Sequence, residues 1–189
     1  SRGSLYLWCI NSKWYKRMQL KEVEKILHKF AKYVVKQART KLTRERKNTT
    51  KKLYDSIEYK VNRYKDSIDL LFSMEDYGAF QDLGVSGKKN KYNTPYSYKS
   101  KMPPSKAFDQ WVVRKGLKGA RDEKGKFIPR KSLRYLIARG VYNNGIKPSY
   151  FFTKPFQTAF KYIPNDLRDA FIFDIEQDKM FFPENMNKN

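Results

Sequence analysis

The stretch from Ile57 to Met74 constrains the fold most. Ile57, Tyr59 and Val61 fall at every second position, and Ile68, Leu70, Phe72 and Met74 do so again. The polar run from Asn62 to Asp66 lies between them. Side chains of a strand point to opposite faces with a period of two, so each run turns one apolar face to a core. The pattern predicts a β-hairpin. A lone hairpin is marginal in water and needs a layer to pack on. That layer is upstream. From Leu20 to Leu42, apolar residues fall at Val23, Ile26, Leu27, Phe30, Val34 and Ala38, spaced by three and four as on one face of a helix.

Downstream, Tyr77 to Leu83 reads as a short helical turn closed by Gly84, where glycine permits a positive φ. Val85 to Lys106 is a long loop rich in tyrosine and lysine, with Pro95, Pro103 and Pro104. A loop of this length is functional or mobile. SKAFDQWVVRKG predicts a helix capped by Ser105, with Phe108, Trp111 and Val112 inward and Gly116 past its end. SLRYLIARGVYNNG predicts another, capped by Ser132 and stopped by Gly145, with Leu133, Leu136, Ile137 and Val141 on one face. Thr153 is placed to cap a last helical region that begins near Pro155, with Phe156, Ala159, Phe160 and Ile163 as its apolar side. Pro164 kinks or restarts that helix, and Leu167, Ala170, Phe171 and Ile175 continue it.

Composition sets the partner question. The chain has 189 residues, and 40% are hydrophobic and 16% aromatic, which suits a packed core rather than a disordered polyelectrolyte. Its formal charge is +22. Such a chain repels itself and adheres to polyanions, so DNA, RNA, an anionic membrane surface and an acidic protein all qualify as partners. The charge is uneven. Residues 86 to 131 are strongly basic, while the end of the chain carries Asp166, Asp169, Asp174, Glu176, Asp178 and Glu184. This asymmetry suits a head-to-tail contact between copies.

The residues offer little for catalysis. Cys9 is the sole cysteine and His28 the sole histidine, which excludes an internal disulfide and a zinc site built from Cys and His clusters. His28 falls in the first helix with no nucleophile motif beside it, and so reads as a partly buried helix residue. Asp66, Asp69, Glu75, Asp76 and Asp82 are close in sequence but read as solvated strand-edge acids rather than a two-metal centre. GxxxxGK[ST], GxGxxG and GxSxG are all missing. No stretch reaches the roughly 18 apolar residues of a membrane span, and LYLWCI lacks the features of a secretory signal. The basic loop is the better candidate. Lys88, Lys89, Lys91, Lys99 and Lys101, interleaved with Tyr92, Tyr96 and Tyr98, suit phosphates and stacked bases, and equally suit a protein interface.

The order of parts carries a resemblance. An amphipathic helix precedes a hairpin that starts at Ser56-Ile57. DYGAFQDLG follows, and PSYFFTKPF comes late in the chain. Over about residues 20 to 175 the chain resembles the tail-completion or head–tail joining (neck, connector) proteins of tailed bacteriophages. Tyr77, Phe80 and Gly84, with Gly78 beside them, match the family's Y-x-x-F-x-x-G segment, and Tyr150, Phe151, Phe152 and Pro155 match its late aromatic-proline motif. The stretches WVVRKG and IARGVYNNGI look like a helical insertion between the two. The family does not require so high a charge.

The fold expected is α+β: a small antiparallel sheet built on the hairpin, packed against a long N-terminal helix and C-terminal helices, with long basic loops. Residues 1–17 form an arm or an over-extended start, 18–178 a single domain with the loop at 85–106 and the insertion at 105–145, and 179–189 a tail. The resemblance implies a non-enzymatic virion protein without cofactor or metal, made in the bacterial cytoplasm. It would form a homo-oligomeric ring in the neck, between portal or adaptor and tail proteins. In this reading Tyr77 and Phe80 anchor the fold. The lysines of the loop, with Tyr92, Tyr96, Phe181 and Phe182, contact a neighbouring subunit or DNA in the channel; no membrane is involved. The alternative is a DNA-binding or packaging-associated phage protein acting outside a ring, and the plainer reading of DYGAF is an ordinary hairpin-to-loop junction.

Overall fold

The computed structural model describes residues 20–47, 50–64, 67–117 and 119–181. The arm at 1–17 and the tail from Phe182 onward lie outside the described residues, and so does Cys9. The architecture is α+β, with a long N-terminal helix and two small antiparallel two-stranded sheets. By its contacts the chain groups into two compact units. Among the described residues, unit 1 takes 20–44, Tyr54–Met74 and 151–181; unit 2 takes Glu45–Leu53 and Glu75–Tyr150. The residues between the two family-like motifs pack among themselves, which sequence periodicity does not show.

Unit 1 is built on α1 (Lys21–Arg44). Its buried residues Leu27, Phe30, Ala31, Val34, Val35, Ala38 and Leu42 follow the three-four spacing of one helix face. Glu22 and Glu24 in its first turn and Lys41 and Arg44 in its last suit the helix dipole. After the short α2 (Lys52–Ser56) come β1 (Glu58–Arg63) and β2 (Ile68–Ser73). Their register sets Tyr59 opposite Phe72 and Val61 opposite Leu70, so the apolar sets share one face, as the alternation predicted. Tyr64 N–H donates to the Ser67 carbonyl at 2.8 Å, closing the hairpin.

That face packs on Leu27, Phe30, Ala31 and Val34, with Ile163 completing the core. The other layer comes from α6 (Thr153–Phe160) and α7 (Ile163–Phe181). Edge-on contacts join Phe72 to Phe152 at 5.2 Å between ring centroids and Phe30 to Phe156 at 5.6 Å. Pro164 sits in the first turn of α7, where its missing N–H costs nothing. Thr153 is the first helical residue of α6, with Phe152 at the cap, so the expected threonine cap does not form.

Two polar ties hold unit 1. The Asp174 carboxylate, 4% exposed, accepts the Glu22 and Val23 N–H groups at 3.1 Å. It caps α1 from 152 residues away along the chain. Arg39 donates to the carbonyls of Tyr54 and Ile57, both at 3.1 Å, and its guanidinium lies over the Tyr54 ring. His28 packs edge-on to Tyr59, consistent with a structural helix residue.

Unit 2 contains α3 (Tyr77–Leu83), β3 (Val85–Ser86), a 3-10 turn at Ser105–Phe108, α4 (Asp109–Arg114), α5 (Arg130–Asn144) and β4 (Gly145–Ile146). β3 and β4 pair antiparallel, Val85 with Ile146 and Ser86 with Gly145. The expected serine caps give way to prolines. Pro104 and Pro129, both extended, occupy the cap positions, so each helical run starts at or before the serine. Val112 is buried, while Trp111 is 40% and Leu136 49% exposed, so those two leave the predicted inward faces. Asp109 joins α4 to α5 by accepting from Arg130 and, at 2.7 Å, from Arg134. Among the described residues, no helix is long and apolar enough to cross a membrane.

Candidate functional site

The candidate site lies in unit 2, where α3, the β3–β4 pair and the basic loop meet. Gly84 ends α3 at φ 77°, and a Cβ there would stand 2.6 Å from the Ile146 carbonyl oxygen and 2.8 Å from Pro148. Both the backbone angle and the space demand glycine. The chain then enters β3 with Val85, Ser86 and Gly87 all buried.

Ser86 organises the loop. Its N–H donates to the Tyr96 carbonyl and its own carbonyl accepts Tyr98 N–H, each at 2.8 Å. Its hydroxyl donates to the Tyr92 carbonyl and accepts Tyr92 N–H, each at 2.9 Å. The Thr94 hydroxyl donates to the Gly84 carbonyl, and Lys88 and Lys89 N–H groups donate to Tyr142 and Asn143 carbonyls at the end of α5. A loop with this many backbone partners is held in one shape. Of the two outcomes its length allowed, functional or mobile, these bonds favour an ordered loop from Ser86 to Tyr98.

The folded loop closes one side of a groove of about 560 Å³. Tyr77, Phe80, Tyr96, Tyr98, Lys99 and Ile146 are among its lining residues. Phe80 and Tyr96 meet edge-on at 4.6 Å between centroids, and Tyr98 and Tyr142 lie 6.2 Å apart. Tyr77 is 43% and Phe80 42% exposed. They were expected as buried anchors, and here the structure differs. α3 is only seven residues long, and it buries Gly78 and Asp82 while its two rings face the groove.

Both tyrosine hydroxyls hold their protons more tightly than usual. Burial raises the Tyr98 pKa. Burial and then the Glu75 charge raise that of Tyr77, partly offset by hydrogen bonds with Thr50 and the Leu53 backbone.

The lysines surround it unevenly. Lys88, Lys89, Lys91, Lys99 and Lys101 are all exposed, and no acid occurs between Val85 and Phe108. Lys99 lines the groove, whereas Lys91 turns back to donate to the Gly87 carbonyl at 2.9 Å. Tyr92 is half-buried, with its backbone held by Ser86.

The two family-like motifs come together here. Ser149 and Tyr150 N–H groups donate to the Asp82 carbonyl at 3.1 and 2.9 Å, and the Ser149 hydroxyl donates to the Gln81 carbonyl at 2.7 Å. The rest of the late motif belongs to unit 1. Phe151 is fully buried, Phe152 joins the aromatic core, and Pro155 lines a second, shallower groove. Phe181 ends α7, and Phe182 lies outside the described residues. Among the described residues no cluster of three His, Cys, Asp or Glu could hold a metal ion.

Sequence reading missed Ser86 and counted Asp174 among the acids of a contact between copies, whereas its carboxylate is buried against the first turn of α1. Ser86 carries no pattern that marks it. Asp174 carried a faint one: an acid standing one residue before Ile175 in the apolar stripe of a helix. No family model matches this sequence, and no curated protein or solved structure matches it either.

Proposed function

We propose that this chain is a structural subunit of the neck of a tailed bacteriophage, assembled as a ring of identical copies between portal and tail. The observation that supports this reading most is the direct hydrogen bonding of Ser149 and Tyr150 to Asp82. Two short sequence motifs resembling that family, far apart in the chain, form one structural junction. Beside that junction lies an aromatic groove with exposed rings and a lysine rim, the composition of an interface core with a polar border. In this role the protein works by assembly rather than turnover, in the virion, with portal or adaptor and tail proteins as neighbours.

Mass measurement and electron microscopy of the full chain test the reading. Closed rings, or complexes with portal or tail proteins formed without DNA, are expected. A chain that stays monomeric at every concentration and binds neither partner refutes it. The second reading, a DNA-binding protein acting outside a ring, draws on the acid-free lysine loop. It would be favoured by tight DNA binding from a strict monomer.

A further inference from the structure

The outer face of α1 carries an arrangement unrelated to the groove. Lys21, Lys25, Lys29, Lys32 and Lys36 are all exposed. At about 100° per residue they fall within an arc of about 80°, along about 22 Å of helix. No apolar residue shares that arc. Its other members are Arg39, engaged with Tyr54 and Ile57, and Thr43. Lys25 is paired with Glu22, and Lys29, Lys32 and Lys36 make no ion pair with a described residue. Beside the track, toward the C-terminal end of α1, lies a groove of about 240 Å³ that none of the five lysines lines. Thr40 and Arg44 of α1 line it together with Lys154 and Thr158 of α6, and no acid is among its lining residues.

We propose that this face of α1, from Lys21 to Arg44, seats the phosphodiester backbone of duplex nucleic acid without reading its sequence. A cation about every 5.6 Å along a straight helix supplies roughly one charge for every two phosphates of a strand that carries one per about 3.4 Å of duplex axis. Charge complementarity alone would also admit a single strand or an acidic protein. The first needs successive stacking platforms; the five-lysine arc has no aromatic side chain, and the flanking groove offers the single ring of Tyr33. The second needs apolar anchors at the centre of the contact, and the arc has none. The inference stands on unit 1 by itself and does not depend on ring formation.

The test is binding of a labelled, mixed-sequence duplex to the full chain between about 50 and 200 mM salt. The variant carries K29Q, K32Q and K36Q together. These side chains are exposed, so its melting curve should overlay that of the wild type. Each lysine lost from the backbone contact should lower the slope of log affinity against log salt by about 0.9, or about 2.7 for the three. Lysine-to-arginine changes at the same positions should keep the slope. An unchanged slope in the glutamine variant overturns the proposal. So does polyglutamate losing as much affinity for that variant as the duplex does, which would mark the face as a seat for acidic protein.

Discussion

Replacing Asp174 with alanine tests the main polar tie in unit 1. Its carboxylate accepts from two backbone N–H groups at the start of α1, and both donors lose that acceptor in the variant. A net contribution of about 1 to 1.5 kcal/mol for each charge-assisted bond gives about 2 to 3 kcal/mol. The favourable placement of a negative charge at a helix N-terminus lies within that figure rather than on top of it. Water can reach the freed groups, since Glu22 and Val23 are half-buried, so larger losses are not expected. Asp174→Asn keeps one acceptor oxygen and should cost about half as much. Urea denaturation followed by far-UV circular dichroism reads the difference. Two units can melt separately, so the comparison rests on the transition that carries the α1 signal. An alanine variant within about 0.5 kcal/mol of wild type would refute the reasoning. It would mean that α1 draws nothing from its distant cap.

Gly84→Ala should destabilise unit 2 by about 2 to 4 kcal/mol, because positive φ and collision with the Ile146 carbonyl act together; an unshifted thermal melt would count against this. Phe80→Ala should cost only about 1 to 2 kcal/mol, since the ring is 42% exposed, and a loss in the range of a fully buried phenylalanine would place it in the core after all. Tyr98 should be among the last tyrosines to ionise in an ultraviolet titration. Its folded pKa is raised, so the stability it supports is whole below the ordinary phenol range and is lost as pH rises through the folded value. Tyr98→Phe should remove that part of the alkaline loss. Deleting residues 88–106 should unfold the β3–β4 pair, because the backbone partners of Ser86 go with them; a deletion variant with unchanged near-ultraviolet circular dichroism would contradict this.

What the sequence disclosed was periodic. Ile57 to Met74 and Val23 to Ala38 repeat at two and at three to four, and burial of one face is the physical cause of that repetition. Gly84 and Gly145 were legible as stops because their backbone angles exclude most other residues. The order of the basic loop was not legible. It rests on hydrogen bonds from one buried serine, and those are directed by space rather than by pattern. Phe80 misled because hydrophobic character does not state which way a seven-residue helix faces. The lysine track on α1 was hidden differently. A charged helix face looks like any solvated face until the lysines are placed at their angles around the axis.

The discontinuity of unit 1 bears on how the chain is made. Its central layer of Phe30, Val34 and Leu70 is closed by Phe156 and Ile163, and α1 is capped by Asp174, all from the last third of the sequence. On the ribosome, α1 and the hairpin emerge before these partners exist, with about a hundred residues still to come at about 5 to 20 per second. The interval lasts seconds, and through it an amphipathic helix and a two-stranded sheet show their apolar faces to solvent. Unit 2, from Glu75 to Tyr150, is synthesised within that window and has its own contacts to form. A chain truncated after Tyr150 would therefore keep the means to fold its second unit while leaving the first permanently open, a species bound for chaperones or aggregates.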